Sequence, residues 1–583
     1  MEVKFTNAEI SKLLKEVAAA YEVTNEDRFK IRAYQNAATS IEHATSEAKD
    51  LWEEGKLKDI PGVGDSLAGH LDEYFKTGKV KHFEQVLKPL PQGMFGILGL
   101  QGIGSKTAFK LAKEFKLEKR DTAVEELKKA AEGGKISQLE GFGEQSEKEI
   151  LEVLEKLKPG KEIRKRLPLP AATEIADRYL DYLKKNDSVL QIEPLGSLRR
   201  RVSTIGDIDF AIATTKPEDV IPYFLSYKEV AEVLNEGDVK ASVLLSNGTR
   251  VDLMTEEPSG FGSLLQHFTG SKAHNIALRK HALEIGKSLS EHGIKYKGKI
   301  QKFADEESFY KFIGLEYIEP EIREDAGEID LSLGGKLPNL VKLTDIKGEL
   351  HSHTTFSDGA SSLKQMVDSA KEKGYEYVGI SDHAPSVMNR GEQKVDSIVT
   401  ETKKEIEQLN YSDKGIRVLF GYEINILAGA TLALPDKFIK ELDYAIASIH
   451  TSFNQDKAQI TKRFLSAINN PYITIIGHPT GRLIGSRESY DADWEEIFKQ
   501  ALEKEKIIEI NSQPDRLDLP DMLVREAVKK GVKLIVNTDS HSLEQFSLMR
   551  YGIDVARRGF AEKKNIVNTL SLKDFLKEIE RKI

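Results

Sequence analysis

The 583-residue chain contains no cysteine. That excludes disulfides, thiol nucleophiles, iron–sulfur clusters and thiolate zinc sites, leaving histidine, aspartate and glutamate as the metal ligands. Nowhere do about 18 apolar residues run together, and the opening MEVKFTNAEI lacks the apolar stretch of a secretory signal. A cytoplasmic protein with no membrane segment is therefore expected. Basic excess is missing too: 85 Lys and Arg stand against 94 Asp and Glu, for a net charge of −9. Neither half stands out as basic, so nucleic-acid binding has to rest on local patches. Four such patches occur: Lys161–Arg166, Arg199–Arg201, Lys272 with Arg279 and Lys280, and Lys295–Lys302. What the chain does have is an ordinary globular balance, 39% hydrophobic and 31% charged. At about 150 residues per domain, its length suggests roughly four domains.

Up to about residue 160 the chain is rich in Ala, Leu, Lys and Glu, with apolar residues at helical spacing such as Ile10, Leu13, Leu14 and Val17. Three segments repeat an apolar lead-in, Gly-x-Gly and an amphipathic helix, at Gly62-Val63-Gly64, Gly102-Ile103-Gly104 and Gly141-Phe142-Gly143. A tight turn that exposes backbone N–H groups at a helix start is an anion nest. It can grip a DNA phosphate without reading sequence.

From about residue 170 the texture turns to mixed α/β. Candidate strands are QIEPLGSLRR, DIDFAIAT and the pair ASVLLS and TRVDLM, joined by an Asn247-Gly248 hairpin turn. Residues 256–312 read as helices followed by strands. The acidic, Gly- and Pro-containing stretch from Glu319 to Lys347 reads as an interdomain connection. Asp207 and Asp209, at i and i+2 on one strand, point the same way, and Asp252 on a neighbouring strand completes a triad. Three carboxylates of this kind can hold two Mg²⁺ or Mn²⁺ ions for nucleotidyl transfer. Gly196-Ser197, ten residues ahead of the paired aspartates, is small enough to approach a triphosphate with backbone N–H and hydroxyl.

Beyond residue 347 seven apolar, β-branched runs each end in a polar signature: GELHSHTTFSDG, YVGISDH, RVLFGYEIN, YAIASIH, ITIIGHP, KIIEINSQP and KLIVNTDSH. Buried strands alternating with helices imply a parallel sheet, here a (β/α)₇ barrel with its chemistry at the C-terminal strand ends. Of thirteen histidines, the six beyond residue 300 all stand at those ends: His351, His353, His383, His450, His478 and His541. Asp358, Glu423 and Asp539 occupy comparable places. Nine ligands without sulfur exceed one tetrahedral ion and suit a cluster of two or three Zn, Mn or Fe(II) ions. Such clusters generate hydroxide near neutral pH and clamp phosphate.

The order HSH, SDG, DH, isolated Glu, SxH, GHP and DSH resembles the PHP (polymerase and histidinol phosphatase) family. The resemblance implies phosphoester hydrolysis with Mn²⁺ and/or Zn²⁺. It places His351, His353, Glu423 and Asp539 on one ion, Glu423, His450 and His478 on a second, and Asp358, His383 and His541 on a third. Arg482 and Asn511, beside the rim motifs, are candidates for phosphate contact.

The Gly-Ser and paired-aspartate motifs match the nucleotidyltransferase superfamily. His267-Phe268-Thr269-Gly270-Ser271 leading into Asn275 and Arg279 resembles the nucleotide-closing helix of family X DNA polymerases, the group of DNA polymerase beta. The whole chain is similar to bacterial and archaeal members that carry a PHP domain. The resemblance implies an all-α helix-hairpin-helix N-terminal region, an α/β nucleotidyltransferase palm with thumb, and a C-terminal PHP barrel. It implies Asp207, Asp209 and Asp252 as catalytic residues, with the first two on both metals and Asp252 assisting the primer 3′-hydroxyl. Gly196, Ser197 and Arg200 would hold the triphosphate, Phe268 and Gly270 would border the nucleotide, Asn275 would contact its base, and Arg279 the template. Gly62, Gly64, Gly102 and Gly104 would contact DNA, with Lys30 and Tyr34 at a 5′-phosphate.

The expected divisions are 1–85 and 86–165 (helical, one hairpin each), 166–255 (palm), 256–318 (thumb), 319–346 (linker) and 347–575 (PHP). Two positions depart from the family. Relatives with 5′-deoxyribose-phosphate lyase activity carry lysines where Ser66 and His70 stand, and imidazole cannot form the required imine. His267 replaces a frequent tyrosine beside the nucleotide sugar, so ribonucleotide exclusion is not carried over. The expected activity is template-directed gap filling in DNA repair by a monomer acting on gapped or primed DNA and dNTPs. A 3′-5′ exonuclease, and cutting at abasic sites, would accompany it. The alternatives are a small-molecule phosphatase with a nucleotide-sensing front half, and a non-catalytic clamp on DNA ends.

Overall fold

A computed structural model describes residues 7–580 except 25, 43–47, 54, 56, 61–62, 99, 101–102, 140–141, 144–145, 148–149, 152–153 and 155–165. The chain divides into two compact units, residues 1–165 and 166–583.

The first unit is helical and holds no strand among its described residues. Its helices run Asn7–Val23, Arg28–Glu42, Ala48–Glu53, Asp65–Thr77, Lys81–Leu87, Met94–Ile97, Ser105–Glu114 and Ala123–Glu132. Two apolar clusters form its interior. One gathers Ile10, Leu14, Val17, Leu67, Leu71 and Phe83, and the other Met94, Ile97, Leu111, Leu127 and Ile136. In helix Asp65–Thr77 the buried residues Leu67, Leu71 and Phe75 recur every four positions, which aims a single face inward. Gly78 ends that helix in the left-handed region at φ 73°, donating its N–H to the Tyr74 carbonyl.

The second unit begins with a five-stranded sheet in the order Gln191–Pro194, Ile208–Ala213, Arg250–Glu256, Lys240–Leu245 and Val230–Glu236. Only the pair Ile208–Ala213 and Arg250–Glu256 is parallel, and its register sets Asp209 directly opposite Asp252. The hairpin at Asn247-Gly248 forms as the sequence implies. QIEPLGSLRR is not one strand, however. It pairs only through Pro194, and Gly196 at φ +56° turns the chain into the short helix Gly196–Arg199. The edge strand Val230–Glu236 carries no apolar alternation and is mostly exposed, so period-two patterning does not reveal it. Helices Phe261–Thr269, Lys272–Glu284 and Glu306–Phe312 follow, with a three-stranded antiparallel sheet, residues 288–301, between the last two.

Residues 319–346 differ from the loose connection expected of them. They carry the turn Pro320–Ile322 and the helix Glu328–Leu333. Ile322 and Leu340 join one apolar cluster with Leu278, Phe309 and Phe560. Arg323 is fully buried. Its Nη1 donates to Glu306 at 2.6 Å, its Nε to the Ile318 carbonyl at 2.8 Å, and its guanidinium covers the rings of Tyr310 and Tyr317. Acidic composition misleads here because part of that charge is met inside the fold: buried Glu328 meets His274 at 2.6 Å and Glu321 meets Arg557 at 2.8 Å.

The remainder is the barrel. Strands Gly348–Glu349, Tyr377–Ile380 and Arg417–Phe420 pair in parallel, as do Glu423–Asn425, Ile446–Ser448, Ile475–Ile476, Ile507–Asn511 and Leu534–Asn537. Residues 417–425 are one run interrupted at Gly421-Tyr422, so the strands number seven. Bridges from His383 to Glu423 and from Ser352 to Ser540 close the ring. Leu350, Tyr377, Leu419, Tyr444, Ile446, Ile475, Ile507 and Ile535 fill its interior. Each such side chain contributes about 1.5–3 kcal/mol on burial. Gly379 and Gly421 flank Tyr444, where an added Cβ would lie 2.3 Å and 2.5 Å from the phenol. Side chains stitch the seam between the first and last strands. Glu349 accepts from the N–H groups of His351 and Thr538, and Asn568 donates to the carbonyls of Gly348 and Val536. Burial pushes the Glu349 carboxyl up to about 8.

Arg323→Met should destabilise the larger unit by about 3 kcal/mol, because it strips one partner from the buried Glu306 carboxylate. The check is the denaturant midpoint of that unit's unfolding.

Candidate active sites

In the palm, one carboxylate oxygen from each of Asp207, Asp209 and Asp252 lies within 4.8 Å of the others. The parallel pairing of two adjacent strands brings them together. Gly196 suits the turn by its positive φ, and a Cβ there would lie 2.9 Å from Asp209 Oδ2, crowding the triad. The Leu195 N–H donates to the Asp209 carbonyl at 2.8 Å and fixes the turn over the triad. Burial pushes the Asp209 carboxyl up to about 7, with the charges of Asp207 and Asp252 adding to the effect. Divalent cations would offset the negative charge gathered there, which Arg250 meets only in part. Arg250, which sequence reading passed over, donates through Nε to Asp252 Oδ1 at 2.9 Å. Its signal was the i, i+2 spacing to Asp252 on one strand face.

Around the triad the sequence candidates are placed unevenly. Ser197 lies on the half-buried turn. Arg200 is not open to a ligand: its Nε donates to Glu324 at 3.0 Å and its Nη1 to the Thr269 carbonyl. Arg199 spans Thr269 and Glu306, at 2.6 Å from each. Phe268 is partly buried under Lys240 and makes an edge contact with His267. Gly270, at φ +72°, lies beside Arg200. Asn275 was expected at the base, yet its amide is committed to the His267 carbonyl at 2.7 Å and to Gln266 at 2.9 Å. Arg279 is exposed on the same helix.

At the barrel rim all nine expected residues converge. Three groups bring ligand atoms within 4.8 Å of one another: His351, His353 and Asp539; His383, Glu423 and His450; and His353, Asp358, His383 and His541. These groups overlap the sets that the family resemblance implies: His351, His353 and Asp539 fall together, as do Asp358, His383 and His541. His383 faces both ways, 3.0 Å from Glu423 and 3.2 Å from Asp358. His353 likewise joins two groups, while His478 meets Glu423 Oε1 at 2.8 Å beside His450 at 3.0 Å.

The donor set fits bound cations. No hydrogen bond among the described residues reaches the buried His351 Nε2 or either ring nitrogen of His353. Carboxylate oxygens nonetheless stand 3.1–3.8 Å from them. His351 Nδ1 meets Glu509 at 2.7 Å, which leaves Nε2 as the free donor, a common arrangement for a metal-binding imidazole. Burial alone would raise the Glu423 carboxyl, but the imidazoles of His450 and His351 hold it well below the ordinary range. His383 is raised to about 10, against its burial, by Asp358 and Glu423.

Two expected phosphate contacts are spent elsewhere. Arg482 donates to the carbonyls of Arg516 and Leu517, and buried Asn511 donates to Asp539 at 3.1 Å. Arg516 lies beside the cluster, with Nε 3.9 Å from Asp539 Oδ2. Its signal was an arginine five residues beyond Asn511 in the loop after the sixth strand.

In the helical unit Gly64 and Gly104 share one geometry. Each is extended, at φ −79°, ψ 179° and φ −78°, ψ 175°, and accepts the first helical N–H, from Ala68 and Ala108. Val63 and Ile103 are buried beside them. An added Cβ at either glycine meets nothing within 4 Å. Gly62 and Gly102 lie outside the described residues. Tyr34 is 6% exposed and its hydroxyl pairs with His70 Nδ1 at 3.0 Å, so it does not face an open phosphate site. Lys30 lies over the Tyr21 ring, 3.6 Å from Glu26.

Three family models match: a helix-hairpin-helix domain over residues 5–80, a DNA polymerase beta thumb over 264–324 and a PHP domain over 349–513. The chain is 37% identical over 572 residues to the DNA polymerase/3′-5′ exonuclease PolX of Bacillus subtilis (strain 168), covering 97% of this chain and 98% of that protein. The chain belongs to the family X DNA polymerases that carry a PHP domain. Part of the chain also resembles smaller proteins. A probable phosphatase of Thermoanaerobacter sp. (strain X514) is 29% identical over 248 residues, 40% of this chain and 96% of the relative. One of Clostridium acetobutylicum is 32% identical over 203 residues, 33% of this chain and 78% of the relative. In this family X chain the barrel is thus one segment joined to a palm and thumb. Among its described residues no helix is long and apolar enough to cross a membrane.

With divalent ions chelated, Asp209 should favour folding only while protonated. Its folded value near 7 exceeds the unfolded one, so its contribution is full below about pH 4 and is lost as pH rises through 7. Asp209→Asn should therefore stabilise the metal-free protein at pH 8 and not at pH 4, measured by thermal unfolding at both.

Proposed function

We propose that the chain is a template-directed DNA polymerase that fills short gaps during DNA repair, with a 3′-5′ exonuclease in its barrel that also cuts at abasic sites. The observation that carries this reading is the pairing of two separate ligand clusters, one of three aspartates and one mainly of imidazoles, in a chain similar to PolX along nearly its whole length.

In the palm, Asp207, Asp209 and Asp252 would hold Mg²⁺ or Mn²⁺, and the nine rim residues Mn²⁺ and/or Zn²⁺. Bound there, such ions supply Lewis acidity for nucleotidyl transfer and a low-pKa water for hydrolysis. Asp252, held by Arg250, orients toward the primer 3′-hydroxyl and favours loss of its proton. The N–H groups and hydroxyl of Gly196 and Ser197 receive the triphosphate, joined by Arg200 once it leaves Glu324. Phe268 and Gly270 border the nucleotide sugar. Asn275 reaches a base edge by giving up its bonds to Gln266 and His267, and Arg279 meets the template backbone. At the rim, His351 stays in one tautomer through Glu509, and Arg516 binds the scissile phosphate.

Gapped or primed DNA is gripped through Gly62, Gly64, Gly102 and Gly104, with Lys30 at a 5′-phosphate. The matched backbone geometry at Gly64 and Gly104 supports this, because two equal turns bind the repeating backbone rather than base sequence. The segments 1–85, 86–165, 166–255, 256–318 and 347–575 act as separate functional divisions. Residues 319–346 serve as a packed junction.

Asp207→Ala should abolish primer extension and leave exonuclease activity, while His353→Ala does the reverse. Loss of both activities in either variant would count against two independent sites. Affinity for gapped DNA should fall steeply and linearly on a log–log plot against salt. A flat response would remove the phosphate-gripping role from the glycine turns.

A further inference from the structure

Three consecutive arginines close the turn that faces the aspartate triad, and each meets a carboxylate. Arg199 lies 2.6 Å from Glu306, Arg200 3.0 Å from Glu324 and Arg201 4.0 Å from Asp554. These pairs are not equivalent. The Glu306 side chain is 4% exposed and is also bound by Arg323 at 2.6 Å, so the Arg199 contact is sealed inside the fold. The Glu324 side chain is 31% exposed, and the oxygen that takes Arg200 is shared. Arg558 Nη1 lies 3.1 Å from that same Oε1. Arg558 ends the barrel helix Met549–Arg558, so one carboxylate oxygen lies between a palm guanidinium and a barrel guanidinium.

Arg558 is itself fixed. Its side chain is 8% exposed and grips Asp521 through Nε at 2.7 Å and Nη2 at 2.6 Å. Its Nη1 also donates to the Arg200 carbonyl at 2.7 Å, which holds the backbone at the end of the Gly196–Arg199 turn. Neighbouring Arg557 binds Glu321 at 2.8 Å and the Val341 carbonyl at 3.2 Å, tying the same helix end to residues 319–346.

We infer that Arg558 is a positioning residue for nucleotide binding in the palm: by holding the Glu324 carboxylate it lets Arg200 leave that carboxylate for the incoming triphosphate. The inference rests on the reading of Arg200 as a triphosphate ligand. A triphosphate competes with Glu324 for the Arg200 guanidinium. When Arg200 transfers, Glu324 would be left as a half-buried anion, a costly state unless a second cation remains beside it. Arg558 is that cation, and its attraction also weakens the hold of Glu324 on Arg200 beforehand. Without Arg558 the carboxylate has Arg200 as its near counter-charge, and the triphosphate binds less tightly. The barrel thereby contributes to polymerisation through a residue remote from its own ligand cluster.

The test is steady-state gap filling by the full-length chain across a dNTP titration, with exonuclease activity on the same preparations reporting an intact barrel. Arg558→Ala should raise the KM for dNTP by about fivefold with kcat nearly unchanged, a size typical of coupling between charged neighbours. Glu324→Gln should lower that KM by about threefold, since it releases Arg200 while Arg558 keeps its bonds to Asp521 and the Arg200 carbonyl. In the Glu324→Gln background, Arg558→Ala should have no further effect on KM. An unchanged KM in Arg558→Ala, or an equal rise with and without Glu324→Gln, would overturn the inference. If Arg558→Ala loses exonuclease through misfolding, Glu324→Gln decides, and an unchanged or raised KM there would overturn it. Arg200→Ala separates the two readings. A high KM in that variant beside a flat Arg558→Ala defeats the coupling alone, and a flat KM defeats the role of Arg200 and the inference with it.

Discussion

Carboxylates stand at the ends of buried strands in both the palm and the barrel, and their charge has to be met where they stand. In the palm the requirement is set by pairing: a parallel register puts Asp209 against Asp252, with Asp207 beside them. In the barrel it is set by layering. Leu350, Tyr377, Leu419, Ile446, Ile475 and Ile535 pack the interior, and the ligands follow within a few residues along the chain. Loops can close over these groups only where side chains are missing. An added Cβ at Gly359 would lie 2.5 Å from the His353 carbonyl oxygen, and one at Gly477 would lie 2.4 Å from Ser448 Oγ. Much of the larger unit is arranged to concentrate negative charge and donor nitrogens at two rims, so that cations complete each one.

The parts legible in the sequence are those whose chemistry is local along the chain. Alternation and an Asn-Gly turn announce the hairpin beneath Asp252, and the i, i+2 spacing of Asp207 with Asp209 and of His351 with His353 fixes their common faces. Seven apolar runs ending in polar signatures are enough to specify the barrel. What the sequence conceals depends on partners distant in the chain. Arg482 and Asn511 look like rim residues, but carbonyls and Asp539 claim their donors. Arg516, which no motif marks, lies nearer the cluster, with Nε 3.9 Å from Asp539 Oδ2. Residues 319–346 read as a connection from their acids, glycines and proline. Their fold depends on Glu306, which buries Arg323, and on His274, whose ring meets Glu328 at 2.6 Å.

Coupling between the palm and barrel is likewise absent from any single motif. Arg200 belongs to a nucleotide-binding pattern, Glu324 to the end of the thumb and Arg558 to a barrel helix, yet all three meet at one oxygen and one carbonyl. Mixed charge over a long chain gives no hint of which arginine finds which acid. Burial decides it, because a half-buried guanidinium selects the carboxylate that also satisfies its neighbours.

Asn568 has a further role in the barrel. Its amide sits between Gly348 and Val536, where its Nδ2 donates to both carbonyls and its Oδ1 accepts from Val536. The first and last strands carry His351, His353, Asp539 and His541, and this side chain joins them alongside Glu349. Asn568 acts as a latch pin: the nuclease cluster keeps its shape through a residue after the seventh strand that never approaches a cation. Trimming the chain ahead of it would unfasten the ring at the seam where the first and last ligands meet.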